Sequence, residues 1–270
     1  MSFPVRLGAV SYLNVRPLVY GLDRHPDTVS LRFDVPAVCA ELLARGAIDL
    51  GMVPSIAYLN RPGDRAVPGV CIGSEGPVAS VALFSRVPVR EIRRIALDSS
   101  SRTSAALTRI LCQRRFAISP EFVPHAPDLP AMLASADAAL LIGDPALFAD
   151  VPSGVEKIDL GAAWTEMTGL PFVWAFWAGP AGPIGADVVR LLQSSAETGM
   201  AHANDIADAY CAPRADRQAL ARRYLRENLR FHFDDRARAG LRLYYREAGA
   251  LGLAPPDAVV EFFEAPARVE

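Results

Sequence analysis

The sequence predicts an α/β fold on three observations. Strand-like apolar runs alternate with helical ones in two successive series. The 270 residues suffice for two domains of ordinary size. The loops that follow the strands collect the polar residues. In the first series Val5–Val10 is a short apolar strand, and Arg16–Leu22 could start a helix behind it. Leu31–Val35 reads as a strand, Ala37–Arg45 as a helix closed by Gly46, and Ile48–Val53 as another strand. That order implies a parallel sheet with helices on its faces. Ser80-Val-Ala-Leu-Phe-Ser85 alternates, is β-branched and aromatic, and stops at Val87-Pro88, so it too reads as a strand.

The second series begins with a strand at Ile95–Leu97 and a helix over Thr103–Arg115, followed by a short strand at Phe122-Val123. Leu129–Ser135 is helical, and Ala138–Ile142 is a buried strand ending at Gly143-Asp144. Phe172–Trp177 is apolar on both faces and is broken by Gly179-Pro180 and Gly182-Pro183. Helical patterns follow over Ala186–Asn204, Asp216–Asn228 and Asp234–Ala250. No repeat of solenoid length occurs. Two architectures fit: two sequential domains, or a clamshell in which the chain crosses to a second domain and returns. In the clamshell, Ser80–Ser85 and Val173–Trp177 would be the paired crossing strands, and strand-end loops of both lobes would face one cleft.

Composition narrows the partners. Net charge is −2, from 28 bases and 30 acids without long runs, so a nucleic-acid backbone is not an expected partner. No apolar run is long enough to cross a bilayer, and no membrane partner is expected. Met1–Leu7 lacks a charged leader followed by an apolar stretch, so a cytoplasmic protein is expected. Lys157 is the sole lysine, which argues against Schiff-base chemistry. Cys39, Cys71, Cys112 and Cys211 are isolated in apolar patterns and read as reduced core thiols. His25, His125, His202 and His232 have no metal-binding spacing; neither a metal nor a cofactor is expected.

The richest polar stretch is Asp98-Ser-Ser-Ser-Arg-Thr-Ser104, at a strand-to-helix turn. A helix start presents outward N–H groups at an electropositive end, and Ser100, Ser101, Thr103 and Ser104 add hydroxyls while Arg102 adds a charge. A carboxylate or phosphate would be held there. The alternative is an ordinary cap, which needs one hydroxyl where five are present. Ser11-Tyr-Leu-Asn14 follows the first strand, and the Asn14 amide can orient a hydroxyl or ether oxygen, or serve as a turn residue. Ser55 follows the strand ending at Val53-Pro54, and Ser80 opens its own strand. Gly143-Asp144 closes a strand; Asp144 could contact ligand hydroxyl, act as acid or base, or cap a helix beginning at Pro145. Trp164, Trp174, Trp177, Phe172 and Phe176 supply aromatic surface, most of it expected in the core. Neither a nucleophile elbow nor a dinucleotide or phosphate-loop fingerprint is present. Such a site suits ligand binding, or a reaction in which the substrate supplies much of the reactivity.

Several segments together resemble the chorismate dehydratase family of the futalosine menaquinone route. They are Gly8–Leu18, Asp49–Ser55, Ser80–Ser85, Leu97–Ser104, Leu141–Asp144, Asp159–Trp164 and Thr168–Val173. The resemblance runs from about residue 6 to about 178. It implies a type 2 periplasmic-binding-protein-like clamshell with a central cleft, here divided as 1–86 plus 177–270 and an inserted 87–176. It also implies a hydro-lyase with a small carboxylate substrate, chorismate, which loses water to give 3-[(1-carboxyvinyl)oxy]benzoate. Carried onto this chain, Asn14 and Ser80 take active-site roles, while Ser55, Ser101, Thr103 and Ser104 hold substrate carboxylate. With no resident base evident, the substrate's enolpyruvyl carboxylate could take the proton. Three rival readings remain, one of them a structural or regulatory module, which the dense polar strand-end loops disfavour. The sibling 1,4-dihydroxy-6-naphthoate synthase shares the fold but would call for a protein base such as histidine in the cleft, and none of the four histidines adjoins a motif. A solute-binding protein would return chorismate unchanged.

Overall fold

The computed structural model describes residues 3–34, 36–182, 184–255 and 257–264. Val35 at the end of the expected second strand, Pro183 in the expected break and Met1–Ser2 lie outside them. The chain opens with β1 (Val5–Val10), β2 (Val29–Asp34), α1 (Pro36–Ala44), β3 (Leu50–Pro54), α2 (Ser55–Tyr58), β4 (Asp64–Ala66) and β5 (Gly69–Ser74). It continues with β6 (Val81–Ser85), β7 (Arg94–Asp98), α3 (Arg102–Leu111), β8 (Glu121–His125), α4 (Leu129–Ser135), β9 (Ala138–Ile142), α5 (Gly143–Leu147), β10 (Glu156–Asp159) and α6 (Leu160–Thr168). Then come β11 (Phe172–Pro180), α7 (Ala186–Ala201), α8 (Ala203–Tyr210), α9 (Gln218–Arg223), β12 (Arg230–Phe233) and α10 (Asp235–Ala250). No helix among the described residues is long and apolar enough to cross a membrane.

The chain forms two compact units. Unit 1 comprises the described chain up to Gly73, Val173–Asp235 and the described residues from Val259; unit 2 comprises Ser74–Phe172 and Arg236–Ala258. The sheet of unit 1 runs β12-β5-β11-β3-β1-β2, with β4 on β11. β1 is parallel to β2 and β3, and β11 is antiparallel to β3. The sheet of unit 2 runs β10-β6-β9-β7-β8, with β7 parallel to β8 and β9, and β6 antiparallel to β9. Each sheet thus sets the first strand of a parallel series between the second and third, and closes that series with an antiparallel neighbour.

The crossing strands differ from the sequence expectation. β6 does not cross: all five of its residues are buried, and it pairs with β9 and β10 as an inner strand of the second sheet. The strand that leaves unit 1 is β5, which neighbours the returning β11. Residues 74–86 accordingly sit in unit 2 rather than in the first lobe, and so does 236–258, while 173–176 sits in unit 1 rather than in the insert. Arg16–Leu22 is not an α-helix. Leu13–Val19 winds as a 3-10 helix with Pro17 inside it, and a second short 3-10 turn spans Leu22–Arg24; a proline nitrogen cannot donate to an α-helical ladder. The strand begun at Phe172 runs through Gly179 to Pro180 rather than breaking there.

Each unit buries its own core. In unit 2, Phe84, Leu129, Met132, Leu133 and Leu141 pack into one apolar cluster with the small residues Ala82, Ala96 and Ala139. In unit 1, Phe176 on β11 stacks edge-on to Tyr58 at 5.4 Å and lies 5.4 Å from Phe233 on β12. Trp164, Trp177, Phe172 and Phe176 are fully buried, as expected of core rings.

Candidate functional site

In unit 2 three loops meet at one edge of the sheet. β7 and β9 run parallel with Leu97 opposite Leu140, so Asp98–Ser104 and Gly143-Asp144 leave the sheet side by side. β6 runs the other way with Val81 opposite Ile142, which sets Ser80 beside Gly143. Ser80 is buried, and its amide donates to the Val78 carbonyl at 2.7 Å across Ala79. Ala79 adopts φ +61°, a left-handed conformation that costs a residue with a Cβ about 1–2 kcal/mol.

The serines of the α3 turn divide their work. The buried Asp98 carboxylate accepts from Ser100 twice, from its amide at 2.9 Å and its hydroxyl at 2.6 Å. Ser101 is the N-cap, its Oγ accepting from the Ser104 amide at 3.2 Å. The capping alternative therefore holds for Ser101, and the Ser100 hydroxyl is committed to shaping the turn. Thr103 and Ser104 are buried in the first helical turn, where the remaining N–H groups face out along the axis. Arg102 is exposed. From α10, the Tyr244 hydroxyl donates to the Thr103 carbonyl at 3.0 Å and fixes that turn. Asp144 does not cap: α5 begins at Gly143, its N-cap is Ile142, and Asp144 lies within the first turn, half-buried.

In unit 1 the parallel pairing of β1 and β3, with Gly8 opposite Gly51, brings Ser11 and Ser55 to the same sheet edge. Ser55 starts α2 and is fully buried. Ser11 is exposed, and its carbonyl accepts from the Tyr210 hydroxyl at 3.1 Å. Trp174 joins this edge, because Ala175 of β11 pairs with Pro54. Asn14 rides on the 3-10 helix, and its Oδ1 is buried with no protein donor among the described residues. Leaving a buried amide oxygen unsatisfied costs about 1–3 kcal/mol, and such orphans call for an explanation. A pocket on unit 1, lined by Arg16, Tyr20, Phe33, Asp205 and Tyr210, includes none of the predicted site residues.

Two features escaped the sequence. His125, distant from every motif along the chain, pairs with Asp98 across β7 and β8, and its carbonyl accepts from Ser99 at 3.0 Å. A histidine therefore does adjoin the α3 turn, which corrects the expectation that none neighbours a motif. Asp159 caps α6 and also reaches the turn before Ser80. In the sequence Asp159 stands out only as the start of one segment of the family resemblance, and nothing local marks a contact eighty residues away.

Comparison with known proteins identifies the family. The family model described as menaquinone biosynthesis matches residues 5–250. A chorismate dehydratase of Thermus thermophilus is 31% identical over 268 residues, covering 93% of this chain and 96% of that one. A chorismate dehydratase of Campylobacter jejuni is 28% identical over 174 residues, covering 62% of this chain and 64% of that one. A Candida albicans gene product described as exhibiting the generic periplasmic-binding-protein fold aligns at a TM-score of 0.64 and 10% identity, over 99% of each chain. At that identity the likeness speaks for the fold alone, and it agrees with the two mixed sheets described above. Because the family model and the Thermus relative each span more than nine-tenths of it, the chain belongs to the menaquinone biosynthesis family.

Proposed function

We propose that this protein is a chorismate dehydratase, a hydro-lyase that removes water from chorismate to give 3-[(1-carboxyvinyl)oxy]benzoate. The observation that carries the reading is the near full-length match to the Thermus enzyme. The reaction takes a ring hydroxyl and a hydrogen from the ring and leaves a benzene ring, so aromatisation drives it. The protein has to hold one conformer of the substrate and stabilise charge as the C–O bond breaks. The α3 turn, with Ser101, Thr103 and Ser104 at a helix start, holds a substrate carboxylate. The Asn14 amide and the Ser80 hydroxyl orient the leaving hydroxyl and the enolpyruvyl group; the orphaned Asn14 Oδ1 supports a ligand-facing role. Ser11, Ser55, Ser100, Arg102, Gly143 and Asp144 complete the binding set. The substrate's enolpyruvyl carboxylate takes the ring proton and passes it to the departing hydroxyl, which leaves as water as the C–O bond breaks. The reaction belongs in the futalosine route, in the cytoplasm.

Mass spectrometry of purified protein mixed with chorismate tests this directly. Loss of one water from the substrate is expected, and chorismate recovered unchanged would instead mark a binding protein. Asn14→Ala should lower kcat about 10²-fold, the usual cost of removing one positioned polar group. An Asn14→Ala protein that turns over at the wild-type rate would remove Asn14 from the scheme.

A further inference from the structure

We propose that Asp159 is a positioning residue for Ser80, acting through the strained turn at Ala79. The proposal rests on the role given to Ser80 above. One carboxylate here serves two elements. Oδ1 accepts from the Ala162 amide at 2.9 Å, which caps α6, and from the Val78 amide at 3.0 Å. Oδ2 accepts from the Ala79 amide at 2.6 Å. Two successive amides of the turn are thus bound to the same side chain, fixing the two peptide planes that lead into the left-handed residue. The Ser80 amide is tied back to Val78. Holding Val78 and Ala79 therefore fixes where Ser80 leaves the turn and enters β6.

The first turns of α6 are built against this loop. Thr165 Oγ1 accepts from the Gly76 amide at 2.8 Å. A Cβ at Gly161 would stand 2.8 Å from the Gly76 carbonyl and 2.9 Å from Ser74 Oγ, so only glycine lets the helix approach so closely. The Asp159-Leu-Gly161 segment, which carries part of the family resemblance, acquires a purpose: its aspartate grips the loop and its glycine admits it. An alanine at φ +61° relaxes to negative φ unless its surroundings hold it, and the Asp159 oxygens on the Val78 and Ala79 amides, with the Ser80 amide bonded to the Val78 carbonyl, are surroundings that do so.

Capping and gripping are separable by substitution. Serine is a good N-cap, so Asp159→Ser retains an oxygen for Ala162, but the shorter side chain cannot reach Val78 and Ala79 as well. Asp159→Ser should keep a thermal midpoint near wild type and lower kcat about 10²-fold, with KM changed by less than about threefold. Ala79→Gly, which accepts φ +61° without strain, should recover part of the lost kcat in the Asp159→Ser background. Hydrogen exchange of the Val78 and Ala79 amides supplies a readout independent of turnover: both should be protected in wild type and exchange rapidly in Asp159→Ser. Wild-type kcat in Asp159→Ser, or unchanged protection, would overturn the proposal. If the wild type returns chorismate unchanged while the exchange difference is present, the reaction assignment fails and the grip on the turn stands.

Discussion

Single side chains in this protein are often bound to backbone rather than to one another, and their electrostatics follow from that. Asp49 combines both kinds of partner. Its Oδ2 accepts from the Arg6 amide at 2.8 Å and its Oδ1 from the Arg6 guanidinium at 2.7 Å, while the same guanidinium reaches the Gly46 carbonyl. The side-chain hydrogen bond to Arg6 holds the Asp49 carboxyl below its ordinary value, with burial opposing the shift. A folded-state value below the unfolded one means that stability is present above the ordinary carboxylate range and is lost as pH falls through the folded value. Asp49→Asn should therefore lower the urea midpoint at neutral pH, and the gap from wild type should narrow steadily below about pH 4. A gap that stays constant with pH would show that packing, rather than charge, makes the difference. The pair is partly exposed, so the effect is small. At this scale the sequence was informative about residue type and silent about division of labour. Five hydroxyls near α3 were legible as a polar helix start; that Ser100 would serve Asp98 and Ser101 would serve Ser104 depends on backbone geometry.

Elements with a long, regular signal were legible to within a residue or two. β1, α4 and β9 coincide with their expected ranges, because their apolar positions are dense and their ends are marked by Asp, Gly or Pro. Most strands that went unread are short or carry glycine: β4, β10 and β12 have three or four residues each, and β5 contains two glycines; the nine-residue helix α6 went unread too. Their pairing partners, rather than their own propensity, make them strands. The 3-10 segment Leu13–Val19 is a similar case, held from outside by α7. Ser195 Oγ lies 2.9 Å from the Tyr20 carbonyl and 3.2 Å from that of Leu18, and Gly199 lies against Pro17 so closely that a Cβ would overlap its carbonyl. Gly199→Ala tests that contact through a sign. In an open helix interior the change stabilises by about 1 kcal/mol. Here overlap with a backbone carbonyl should destabilise by about 1–3 kcal/mol, and because Asn14 rides on the displaced segment, kcat should fall as well. A raised thermal midpoint would show that the two elements do not meet as closely as described.

At the scale of the whole chain, the sequence showed two βαβ series and the possibility of a return crossing, but not that the last helix belongs with the second series. Nothing in the pattern Asp235–Ala250 names its partner, since an amphipathic helix reports that it packs and not where. The partner is unit 2. Tyr244 is fully buried against Phe172 at 4.8 Å and Trp164 at 6.3 Å, its hydroxyl holds the Thr103 carbonyl, and Gly240 lies directly on the Pro171 carbonyl. Glu247 pairs with Arg114, and Arg236 with Glu75, within the same unit. A fragment of residues 74–172 would therefore lose the cover over two large rings as well as Tyr244 itself. At about 2 kcal/mol for each large side chain returned to water, the loss is about 6 kcal/mol, which rivals the whole net stability of an ordinary domain. The fragment 74–172 should thus lack a cooperative thermal transition and expose Trp164 to solvent quenchers. Joining 236–258 to it through a flexible linker should restore cooperativity and shield the tryptophan, even though the helix then arrives by a different connection. If the bare fragment melts cooperatively with Trp164 shielded, unit 2 is complete without α10, and the turn that presents Thr103 needs no support from the distant end of the chain.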